Sequence, residues 1–200
     1  MNDFPFDDAV FRHVLAALVL VSRLGDLGST WLASPTLRLE ANPIARRLGW
    51  RFAILSLGVA AVPYYNTSLG VMALTASFLV TASNLSSGWM MRALGEEEMT
   101  ALLHRVARRS TLRSALGFTL GAGTATMIVG LLMIWLCRQT EWGYFFGWGV
   151  LAFALVKIVY GGGYMIRLYR RVGRESEDAV SPAADGALTA DLRGRAIVGG

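Results

Sequence analysis

The chain alternates long apolar runs with short polar breaks. Runs at 9–32, 69–91, 114–137 and 142–168 each match the ~20 mostly apolar residues that a helix needs to cross a hydrocarbon core. A further run opens at ANPIARRLGW, with Asn42 as N-cap and Pro43 in the first turn, and continues through FAILSLGVAAVPYY. Pro63 marks its frayed or kinked end. Before the fourth span, GEEEMTALLHRVARRS places glutamates at a helix start and Arg105, Arg108 and Arg109 at its end, the order that suits a helix dipole. Met99, Leu102, Leu103 and Val106 share one face, which predicts a short amphipathic helix on the membrane surface. From residue 175 onward no apolar period is sustained. The pattern predicts an all-α, polytopic membrane helix bundle of about five spans over 1–174 and a disordered cytoplasmic tail over 175–200.

Composition strengthens this picture. With 54% hydrophobic and 16% charged residues and a mean hydropathy of +0.46, the chain is too apolar for an ordinary soluble domain. Its leading MNDFPFDD is acidic, and the run that follows is longer than the apolar region of a signal peptide, so a retained helix is expected. The net charge of +5 comes almost wholly from arginine, since Lys157 is the only lysine. These arginines fall at the ends of apolar runs and read as topology anchors and lipid head-group contacts, not as a nucleic-acid surface. They concentrate after the first span, after the third and after the last, which predicts the N-terminus outside and the C-terminus in the cytoplasm. Tyr64, Tyr65, Trp142, Tyr144 and Trp148 near the outer turns suit an interfacial aromatic belt. The lone Cys137 allows no intrachain disulfide, and no Cys/His spacing resembles a zinc site, so neither a metal nor another cofactor is expected.

Charge inside the apolar runs carries the candidate chemistry. Arg23 and Asp26 stand within the first span, and Ser22, Asp26, Ser29 and Thr30 follow one helical stripe. Counted from the outer surface, Arg23, Asp26, Asn84 and Lys157 all lie about 20–24 Å deep in a core about 30 Å thick. Lys157, Tyr160 and Tyr164 form a row on the last helix, and Ser83, Ser86, Ser87, Thr119, Thr124 and Thr126 add hydroxyls to this half of the bundle. The asymmetry predicts a polar cavity open toward the cytoplasm. Bland readings stand beside it: Arg23 and Asp26 neutralise each other, Lys157 snorkels, and hydroxyls glue helices together. Gly117 with Gly121, and Gly143 with Gly147, match GxxxG and point first to close helix packing. The glycines at 161–163 should loosen the last helix beside Lys157.

Asp26, Thr30, Glu40, Asn42 and Pro43 spell D-x3-T-x9-E-x-N-P. This spacing resembles a family of small multi-pass prokaryotic membrane proteins catalogued as a domain of unknown function. The resemblance covers the chain through its third span; where a glycine is expected before the glutamate, this chain has SPTLRL. It implies a protein of the prokaryotic inner (plasma) membrane with a shared polar motif, and it brings no activity. Taken alone, Asn42 and Pro43 start a helix, and Glu40 lies where its N-terminus favours negative charge.

Three functional classes fit these residues. In the first, Arg23, Asp26, Thr30, Glu40, Asn42, Asn84 and Lys157 hold a polar or anionic small molecule or lipid head group for binding or transport. In the second, Asp26 or Glu40 is the general base of a membrane enzyme, although HExxH, GxSxG and P-loop signatures are absent. In the third, the polar cluster stabilises packing in a structural or accessory subunit, a homo-oligomer or a larger membrane assembly; a dry and fully satisfied Arg23–Asp26 pair would mark it. The expected partners are membrane lipids and the bound ligand, with no nucleic acid.

Overall fold

Most of the apolar runs become continuous helices. The computed structural model describes residues 8–37 and 40–175, and every regular element among them is helical. The elements are α1 (Asp8–Ala33), α2 (Pro43–Leu48), α3 (Trp50–Ser56), a 3-10 turn (Leu57–Ala61), α4 (Val62–Tyr65), α5 (Thr67–Arg109), α6 (Leu112–Leu136) and α7 (Glu141–Glu175). Three of them, α5, α6 and α7, are long and apolar enough to cross a membrane. At 26 residues α1 has the length as well, with Arg23 and Asp26 set into it. The tail expected over 175–200 lies, after Glu175, outside the described residues, as do the leading MNDFPFD and Arg38.

The run at 43–65 departs from the single helix expected of it. Asn42 caps α2 as predicted: its Oδ1 accepts from the N–H groups of Ile44 (2.9 Å) and Ala45 (3.4 Å). Gly49 then takes φ 62° and ψ −150°, which ends the helix after six residues. The 3-10 turn tightens the next stretch, and Pro63 stands in the first turn of α4, where its missing N–H is harmless. Within α5, Gly95 adopts φ 77° and ψ 165°, a combination nearly reserved for glycine. The apolar rod before it and the charged rod after it are therefore two helices in series. Met99 and Ala107 of the second rod are buried, whereas Val106 stays exposed.

The helices stand in a row. The most extensive contacts join α1 to α5, α7 to α6, and α5 to α7, so α5 lies between α1 and α7, and α7 lies between α5 and α6. Val19 and Ala154 are fully buried, supported by Leu15, Val71 and Phe153. Small residues allow the backbones to approach. A Cβ at Gly147 would lie 2.9 Å from the Ile134 amide nitrogen and 3.0 Å from the Gly130 carbonyl oxygen. Gly117 and Gly121 differ, since a Cβ at either meets nothing within 4 Å. Of the second pair, Gly147 packs against α6, and a Cβ at Gly143 would meet Cys137 and Thr140 of the adjoining turn. Trp89, Phe118 and Leu136 point outward with 71%, 81% and 67% of their surface exposed, an apolar exterior suited to lipid.

Side-chain contacts define two ends. At one, the rings of Phe11 and Trp142 meet edge to face at 4.8 Å, His13 Nδ1 lies 2.9 Å from the Tyr64 hydroxyl, and Ser68 donates to Glu141 at 2.9 Å. At the other, Ser34 and Thr36 bond to Glu96, Arg167 donates to the Ala41 carbonyl at 2.7 Å, and the Ser110 and Tyr169 hydroxyls lie 2.6 Å apart.

Candidate functional site

The polar stripe of α1 faces α5. Ser22, Asp26 and Ser29 are buried on this stripe, and each serine hydroxyl donates back to its own helix, Ser22 to the Val19 carbonyl and Ser29 to that of Asp26, both at 2.9 Å. Thr81 of α5 donates across to the Ser22 carbonyl at 3.3 Å. One turn further along, Arg23 Nη1 donates to Asp26 Oδ2 at 2.9 Å, the i, i+3 spacing that places both groups on neighbouring rows. Asn84 Nδ2 donates both to Asp26 Oδ1 and to Thr30 Oγ1, each at 3.2 Å. Each Asp26 carboxylate oxygen thus has a donor, one from its own helix and one from the neighbour.

Arg23 is less completely satisfied. Its Nε is buried and has no hydrogen-bond partner among the described residues. A buried guanidinium N–H without an acceptor is costly. A ligand oxygen or a water at this point would remove the penalty.

Glu40 and Asn42 come together at the entrance to α2, where Glu40 Oε1 accepts the Asn42 backbone N–H at 2.8 Å. The Glu40 charge also lies within electrostatic range of Asp26, which links the two halves of the D-x3-T-x9-E-x-N-P spacing. Lys157 stands apart. Its ammonium lies 5.8 Å from the centroid of the Phe153 ring and makes no hydrogen bond or ion pair to the other six predicted residues. A π-helical turn at Lys157–Gly161 breaks the α-helical register on which the row Lys157, Tyr160, Tyr164 was counted. Thr119 and Thr126 bond to carbonyls of their own helix, Ala115 and Ala122, and Thr124 is exposed.

Glu96 has a role that its sequence position concealed. As the first of three glutamates it fits a dipole-stabilised helix start; in the structure its carboxylate also receives the Ser34 and Thr36 hydroxyls and the Thr36 N–H at 3.2 Å. The turn leaving α1 is thereby clasped to α5. Nearby, a cavity of about 850 Å³ opens between the charged rod of α5, the end of α7 and Arg46. None of the seven predicted site residues lines it.

Fold and site together define an all-helical protein with membrane-length apolar helices and a buried, partly unsatisfied ionic cluster. Comparison with protein-family models, curated proteins and solved structures finds no match to this chain.

Proposed function

We propose that the chain is a five-span membrane protein that binds or carries a polar or anionic small molecule or lipid head group at the Asp26 cluster, in the cytoplasmic half of the bilayer. The contacts at the two ends support the span count: α1, the broken run at 43–65, α5, α6 and α7 each lead from one end to the other. The arginine bias supports a cytoplasmic assignment for the end that carries Arg46, Arg105 and Arg171.

One observation carries the binding reading: the Arg23 Nε–H, buried beside Asp26 with no acceptor. A ligand oxygen placed there would satisfy that donor, which favours binding over a pair that is only structural. The double hydrogen bond from Asn84 favours the second reading, in which the cluster fixes α1 against α5.

Native mass spectrometry separates the two when combined with thermal unfolding in detergent. Wild-type protein should retain a polar or anionic species that Asp26→Asn loses, with the variant's melting temperature close to that of the wild type. A bare wild-type chain, together with a strongly destabilised Asp26→Asn, would leave only the structural reading.

A further inference from the structure

The cavity at the clasped end concentrates unpaired positive charge. Arg46 contributes from α2, and Arg167, Arg170, Arg171 and Arg174 contribute from the last turns of α7. Among the described residues none of these five forms an ion pair. Among the described residues the one acidic side chain in the lining is Glu97, while Glu175, at the end of α7, lies against His104 (3.5 Å) and Arg108 (3.7 Å).

Topology anchoring explains arginines at a membrane surface, but not this arrangement. Anchoring arginines spread outward into head groups and water. Here four of the five, Arg46, Arg170, Arg171 and Arg174, are exposed, yet all five line one concave space from two separate elements. Arg167 Nη2 is held by the Ala41 carbonyl, whereas its Nε is buried with no partner. Tyr164 lines the same cavity. A volume of about 850 Å³ is that of a small-molecule site.

We propose that this cleft binds a phosphate-bearing polyanion, such as a phosphomonoester head group or a soluble pyrophosphate compound. Guanidinium forks match phosphate oxygens two at a time, and five of them call for a ligand carrying at least two charges. A single carboxylate would leave most of the cleft's charge unanswered. Leu103 and Leu168 supply apolar lining for whatever the phosphate is attached to. The site shares no residue with the Asp26 cluster, so either reading survives failure of the other.

The test uses the full chain in phosphatidylcholine nanodiscs. One arm titrates inorganic pyrophosphate; the other measures, by native mass spectrometry, retention of phosphatidic acid from mixed nanodiscs. At least one probe should bind saturably, and which one does assigns the soluble or the lipid source. Arg171→Gln and Arg167→Gln should each weaken that probe about tenfold. Arg171 is exposed, so its replacement reads out binding even if Arg167→Gln disturbs the fold. Arg113→Gln, exposed near the start of α6 and outside the cleft, should leave affinity unchanged. Absence of saturable binding by both probes overturns the proposal. So does an equal loss in Arg113→Gln, which would reduce the effect to diffuse surface charge.

Discussion

Asp26 shows how far a single residue can be read from its neighbours in sequence. Its ion pair with Arg23 was legible because both side chains ride on one helix, where three positions separate adjacent rows. Asn84 was found by depth alone, and the bond to Asp26 shows that rise per residue is a usable ruler between straight helices. Lys157 escaped the same ruler, which gives depth but not direction around the helix, and α5 lies between α1 and the α7 that carries Lys157. The cleft arginines were hidden for another reason: a positive-inside count records how many charges lie in a loop and not whether they converge. At this scale Asn84→Leu should lower stability by about 1–3 kcal/mol, because Asp26 Oδ1 and Thr30 Oγ1 both lose their Asn84 donor inside the bundle. The check is an earlier loss of helical signal on heating in detergent. Ser86→Ala serves as the control, since Ser86 is exposed and its hydroxyl bonds to the Ser83 carbonyl of its own helix. Equal melting of the two variants would contradict the bridging role given to Asn84.

Among the elements, apolar length was a reliable guide wherever glycine and proline did not intervene. The cores of α5, α6 and α7 fall where hydropathy places them. The run at 43–65 does not hold as one rod, because Gly49 takes a positive φ and the 3-10 turn at Leu57–Ala61 changes the hydrogen-bond pattern. Sequence spacing also treated the two GxxxG pairs alike; only the three-dimensional neighbours tell them apart. Gly147→Ala should destabilise the α6–α7 contact by about 1–3 kcal/mol, since the new methyl meets the backbone of α6. Gly121→Ala should be neutral or slightly stabilising, because the space beside it is open and alanine favours the helix. Thermal melts of both variants in the same detergent decide the matter, and a reversal of the order would show that the helices cross elsewhere.

For the whole molecule, alternation of arginine-rich and arginine-poor connections sets the expected orientation, and the two contact ends group the same connections together. A reporter fused after Arg174 should read as cytoplasmic, and one inserted in the turn after Tyr65 should read as external. Both on one side would overturn the five-span reading, and the opposite pattern would overturn the orientation. The Glu96 clasp adds a constraint of another kind. It joins residues 60 and 62 positions apart, with an entire broken run and the apolar rod of α5 between them. During synthesis the turn at Ser34 and Thr36 emerges long before its anchor. The clasp therefore cannot close until Glu96 has left the ribosome.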